Sequence, residues 1–340
     1  MSFILTYRNP QAKLAQARAQ ARTRAPSNAG HEEQLSMFRA KLNPEHEHEQ
    51  QQDQVVLLSY DELPDWHRDN HFLRSGYRPI SNSCLGCAQS LGYLHNETLN
   101  IYTHLIPAVC LVFGHATVHR AISSVYPEAS VLDHVVFHCN VGAALITMAL
   151  SSAYHTLMNH SMAVSSLMLR VDYAGILVLI LGSFFSGIYV GFYCEPVLRG
   201  LYWAMIIGLS VVTSALVLHP KLQGLRYRHH RTWAFILTGL SGFAPIVHGL
   251  LLYGWADMWV RSGMPYYLLE GLVYGLGAFF FVTRIPESIW PGSFDIWFSS
   301  HQLFHVLVVM ASLVHLYGVW VAFGWNYENQ RVCPVSGYGV

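Results

Sequence analysis

The stretch VLDHVVFHCNVGAALITMALSSAYHTL, residues 131–157, decides the fold. At 1.5 Å per residue it is long enough to cross a hydrocarbon core of about 30 Å. It must cross as a helix, because the bilayer interior offers no water to unpaired backbone groups. Six comparable apolar segments accompany it, at 101–124, 165–191, 199–218, 232–253, 265–283 and 298–322. The sequence therefore predicts an all-α protein, a bundle of seven transmembrane helices.

Composition agrees. Charged residues make up 12% of the chain, against about 25% in soluble domains. Apolar residues reach 52% and collect after residue 100. The formal net charge is zero, so no footprint for nucleic acid exists. Twenty histidines equal Lys and Arg together, which points to metal chemistry without locating it. The six cysteines, at 84, 87, 110, 139, 194 and 333, form no disulfide framework. Cys84 and Cys87 make a lone CxxC, read as two ordinary loop thiols ahead of a zinc or redox pair.

The segments divide the chain into four expected parts. Residues 1–58 read as a disordered cytosolic tail, with a low-complexity run EHEHEQQQDQ at 45–54 and an Ala-rich basic run at 11–24 that suits a surface helix. Residues 59–100 form a cytosolic juxtamembrane segment, 101–322 the membrane domain and 323–340 an exoplasmic tail. The first fifty residues hold no apolar run of signal-peptide length, so targeting falls to the first span. With the N-terminus inside, the inner loops carry Arg170, Lys221, Arg226, Arg228, Arg231 and Arg284, and the outer loops only Arg120, Arg199 and Arg261. That asymmetry favours N-inside and C-outside. The sequons at Asn96 and Asn159 then fall inside, out of reach of glycosylation. Cys194 and Cys333 both fall outside and are candidates to pair.

This topology sorts the titratable residues. Span two ends near His155, span three begins near Asp172, and span seven begins near His301 and His305. Ser151, His155, Asp172, His301 and His305 thus meet at one depth near the inner leaflet. Ser151 and His155 are i and i+4 on one helix face, as are His301 and His305. Three imidazoles suit Zn2+ and leave a position open, the pattern of hydrolytic zinc sites. Asp172 is placed to accept a proton. An ionisable group inside a span is costly, which favours function over accident. The plainer alternative is a set of helix-packing polar residues.

Other histidines compete. His67 and His71 read as solvated loop residues. His104, at the inner start of span one, is a candidate fourth ligand, with a structural hydrogen bond preferred. His248 reads as a satisfied core histidine. His115, His119, His134 and His138 lie toward the outer side. They are read as interfacial groups bonded to backbone or headgroups, with a second metal site as the alternative.

Across about residues 60–320 the sequence resembles the progestin and adipoQ receptor family, which includes adiponectin receptors and haemolysin III-like proteins. The resemblance rests on LPDWHRDNHFLRSGYRP (63–79), NETLNIYTHL (96–105), SSAYHT (151–156), DYAGI (172–176), GLSG (239–242), RIPE (284–287) and FDIWFSSHQLFHVLVV (294–309). The segment around DNHFLRSGYRP points to the adiponectin-receptor branch, with a fungal look. The resemblance implies zinc bound by His155, His301 and His305, with Asp172 and Ser151 as the family's acid and serine. It also implies a zinc-dependent lipid amide hydrolase acting on ceramide-like membrane lipids, with a signalling role in lipid and metal homeostasis. Two alternatives stand beside it. One is a seven-span receptor with structural zinc and an extracellular protein ligand. The other is a channel or metal transporter, disfavoured because no broken pair of half-spans is visible. The expected location is the plasma membrane or an endomembrane. The sequence sets no oligomeric state.

Overall fold

The structure, a computed structural model, describes residues 56–330 and Cys333. The tail at 1–55, with its Ala-rich and low-complexity runs, lies outside the described residues. Among the described residues, seven helices are long and apolar enough to cross a membrane, and the protein is an integral multi-pass membrane protein. They are α1 (Thr98–Val125), α2 (Val131–Leu157), α3 (Met162–Gly191), α4 (Pro196–Val217), α5 (Arg228–Leu240 and Phe243–Arg261), α6 (Met264–Thr283) and α7 (Ser300–Asn329). Large apolar side chains such as Phe113, Leu251 and Leu272 point outward, as lipid-facing helices require.

The expected segments match these helices, with differences at the ends. α1 begins at Thr98 rather than near 101, because its polar first turn is helical and ends in buried Asn100. α7 continues to Asn329, past the expected end at 322. Its last turns bury Phe323, Asn326 and Tyr327, and the Asn326 amide donates to the carbonyls of Val190 and Arg261. The fifth span is interrupted, which the sequence reading did not anticipate. Pro245 has no N–H to give the Ser241 carbonyl, and the chain tightens into i→i+3 bonds from Gly242 to Gly239 and from Ala244 to Ser241. A second kink sits at Gly254, whose φ of 76° leaves the helical region.

Helix α7 is the hub, packing on α1, α2, α3, α5 and α6. One core cluster joins Ile122 of α1, Phe137 of α2, Tyr189 of α3 and Val319 and Phe323 of α7. Small residues set the close approaches that membrane helices use. Gly182 is the clearest case, since a Cβ there would overlap that of Ala143 on α2. Buried polar groups are satisfied across helices. Asp133 accepts from the Tyr189 hydroxyl at 2.6 Å and from Tyr193 at 3.3 Å. Cys194, after α3, is disulfide-bonded to Cys333, with Cα atoms 5.3 Å apart. The two cysteines that were candidates to pair are thus joined. Cys84 and Cys87 lie on one short helix (Cys84–Gln89) and are free thiols.

The segment before α1 folds against one end of the bundle. Leu58 and Tyr77 form an isolated antiparallel bridge. Arg78, 2% exposed, donates to the carbonyls of His155 at 2.6 Å and Thr156 at 3.0 Å. It thereby satisfies the end of α2, where free carbonyls and the negative end of the helix dipole favour a cation. The sequon residues Asn96 and Asn159 are buried at this same end, and the Asn159 amide donates to the Pro79 carbonyl.

Candidate metal centre

Two helix ends build the centre. The last turns of α2 carry Ser151 and His155, and the first two turns of α7 carry His301 and His305. The start of α7 is fixed by several bonds. Ser299 and Gln302 form a capping box, and the Gln302 amide donates to the Asn96 and Ile296 carbonyls. Glu287, fully buried, accepts from the Ser300 N–H at 2.7 Å and from the Ser300 hydroxyl. A carboxylate at a helix N-terminus meets unpaired N–H groups and the positive end of the dipole. Asn70 donates to the same Glu287 oxygen, Oε1, that accepts the Ser300 hydroxyl, so the segment around 63–79 buttresses the cap.

The ligand atoms of His155, His301 and His305 lie within 4.8 Å of one another. Nε2 of His155 and Nε2 of His301 are 3.3 Å apart. Ligands at 2.0–2.1 Å around a tetrahedral zinc are separated by about 3.3–3.4 Å, so the spacing fits. The tautomers fit too. The Nδ1–H of His155 donates to Glu97 at 2.7 Å, and that of His305 donates to the Asn100 carbonyl at 3.0 Å. Each bond leaves Nε2 as a bare lone pair. A carboxylate or carbonyl behind each imidazole is the arrangement that orients histidine ligands and raises their basicity. Glu97 also accepts from the Asn100 amide at 2.7 Å. Burial alone would raise the Glu97 carboxyl, but the bonds from His155 and Asn100 hold it below the usual carboxylate range. Burial, then the Arg78 charge, pushes neighbouring His95 down to about 4. Neutral His95 accepts the Glu97 backbone N–H through Nδ1 at 3.1 Å. Glu97→Gln should weaken metal binding by about 10–100-fold with the fold intact. Competition with a chromophoric chelator measures this, and unchanged affinity would remove Glu97 from the site.

Asp172, in the third turn of α3, lies near His155 and the Ser151 side chain. Ser151, Asp172, His301 and His305 all line one cavity of about 850 Å³. Its walls come mainly from α3, α5, α6 and α7, with apolar groups such as Ile176, Leu179, Phe235 and Phe304. Farther along, His315 bonds Glu270 at 2.7 Å and Ser186 at 2.9 Å, a polar cluster about 15 Å beyond His305 along α7.

All five expected site residues therefore gather. His104 is not one of the grouped ligands; it stacks on His305, with ring centroids 3.9 Å apart, and its Nε2 lies 3.3 Å from the His305 carbonyl. His248 is satisfied by the Tyr202 hydroxyl at 2.8 Å, as expected. His71 is exposed and His67 half-buried. The outer four histidines turn toward one another rather than toward backbone. Sequence reasoning missed Glu97, Asn100, Arg78 and Glu287 as supports. A signal was present for the first two: an acid and an amide at i and i+3, at the start of an apolar span, are costly there without partners.

Residues 92–316 match the family model described as haemolysin-III related. The chain is 38% identical over 263 residues to the ADIPOR-like receptor IZH2 of Saccharomyces cerevisiae, covering 77% of this chain and 83% of that protein. It is 38% identical over 280 residues to progestin and adipoQ receptor-like protein 1 of Caenorhabditis elegans, covering 82% of this chain and 63% of that one. It is 36% identical over 263 residues to the adiponectin receptor protein of Drosophila melanogaster, covering 77% and 59%. The chain thus spans less than two thirds of the worm and fly proteins. With the seven-helix bundle and its matching motifs, these likenesses place the chain in the haemolysin-III-related family, the family of adiponectin-receptor-like membrane proteins.

Proposed function

We propose that the chain is a zinc-dependent hydrolase of lipid amides, with ceramide-like lipids as substrate. The observation that carries this reading is the shared wall: two of the three grouped histidines, an acid and a serine all line one largely apolar chamber inside a membrane bundle. Zinc, when bound, supplies a Lewis acid for the amide carbonyl and lowers the pKa of water. Asp172 takes the proton of the attacking water as its oxygen bonds the carbonyl carbon, and returns it to the nitrogen as the C–N bond breaks. The products are a fatty acid and a sphingoid base. Ser151 orients the Asp172 carboxyl and has its hydroxyl at the chamber wall, where an oxyanion can be met. The apolar walls hold the acyl chain and exclude bulk water.

The orientation is part of the proposal. Disulfides persist in oxidising compartments, and Cys194–Cys333 lies at the end of the bundle opposite the histidine triad. The triad then faces the cytosol, in agreement with the basic inner loops. The relatives named above are called receptors, and a receptor role fits an enzyme whose products are the signal. A purely structural zinc fits less well, since a structural site is closed and these ligands border a chamber. The test is release of fatty acid from a fluorescent ceramide by purified full-length chain in detergent. Release that stops with a chelator and returns with Zn2+ supports the proposal; no release under any metal condition rejects it.

A further inference from the structure

A second group of histidines sits at the other end of α1 and α2. His115 and His119 are i and i+4 on α1, and His134 and His138 are i and i+4 on α2, so each pair shares a helix face. The antiparallel packing of these helices brings the two pairs together. The ligand atoms of His119, His134 and His138 lie within 4.8 Å of one another. The rings of His119 and His134 are 4.8 Å apart between centroids, and those of His119 and His138 5.8 Å. Nδ1 of His115 lies 2.9 Å from Nδ1 of His138. That bond leaves Nε2 of His138 as its free nitrogen. Nδ1 of His134 is buried without a partner, which is costly for a polar atom.

This group is separate from the triad. His138 and His134 precede His155 by 17 and 21 residues on the same helix, which is about 26–32 Å at 1.5 Å per residue. One ion cannot serve both. We propose that His119, His134 and His138 hold a second divalent transition-metal ion, with His115 as a positioning residue behind His138. An all-imidazole set selects zinc, copper or nickel over calcium or magnesium, which need oxygen ligands. The nearest acid in sequence, Asp133, is committed to Ser130, Tyr189 and Tyr193. Among the described residues, no carboxylate is hydrogen-bonded to these rings as Glu97 is to His155. His119 is also exposed. The second ion is accordingly the weaker and more exchangeable of the two, and reads metal availability on its own side of the bilayer.

The test is metal titration of full-length chain in detergent, with Zn2+ counted by mass spectrometry and Co2+ followed by its visible absorption. The wild type should bind two ions per chain, in two phases. His119→Leu, an exposed position where an apolar side chain suits the lipid, should keep the tight phase and lose the weak one. His115→Phe should keep both but weaken the second by about 10–100-fold, as loss of a supporting shell does. His301→Ala with His305→Ala should lose the tight phase alone. One ion in the saturated wild type would overturn the proposal, as would two unaltered phases in His119→Leu. The His119→Leu result decides the matter even if the double variant does not fold.

Discussion

His301→Ala combined with His305→Ala should release no fatty acid from a fluorescent ceramide above the protein-free background. The expectation follows from the way the triad is assembled. Two of its three nitrogens come from the first two turns of one helix, and the third comes from the end of another. Removing both leaves His155 alone, and one imidazole does not hold a hydrolytic zinc against solvent. The surrounding frame should survive. The start of α7 is held by Glu287, Ser299 and Gln302, and the end of α2 by Arg78, none of which is touched. The double variant should therefore elute as a folded species and still bind the far-side ion. Full turnover in it would reject the hydrolase reading. A variant that unfolds on losing its zinc would favour the structural-zinc receptor instead.

Asp172→Asn should keep the tight zinc and lose turnover, with kcat falling by about 10²–10⁴-fold, the range that general acid–base groups supply. KM should change little. In the proposed reaction the acyl chain would lie against apolar groups such as Ile176, Leu179, Phe235 and Phe304, which the substitution leaves in place. The substitution is nearly isosteric and preserves a partner for the Ser151 hydroxyl, so a loss of rate reports the missing proton acceptor rather than a collapsed site. Zinc analysis beside steady-state kinetics separates the outcomes. Wild-type kcat with zinc bound would reduce Asp172 to a packing group.

The helices were legible in the sequence because length and apolarity settle a membrane span with little help from tertiary contacts. The convergence of His155, His301 and His305 was legible once span order fixed which ends meet. What the sequence did not show was the support beneath the ligands. Arg78 reaches the end of α2 from a segment whose path before α1 has no periodic signal, and Glu287 caps α7 from a loop read only as RIPE. Both are contacts between distant parts of the chain, and composition carries no mark of them. The interruption of α5 was readable in principle, since GLSG is followed within three residues by Pro245. Mean apolarity across 232–253 hid it. The outer histidines show a related limit. Helical spacing paired them, but only the α1–α2 packing decides that they face each other rather than the headgroups.

An anomalous-difference map collected at the zinc edge from crystals of the full chain asks the central question most directly. The account predicts a peak enclosed by the rings of His155, His301 and His305, within about 2.0–2.1 Å of one nitrogen from each. Density there that shows no anomalous signal in a zinc-saturated crystal, or imidazoles turned away from a common point, would contradict it.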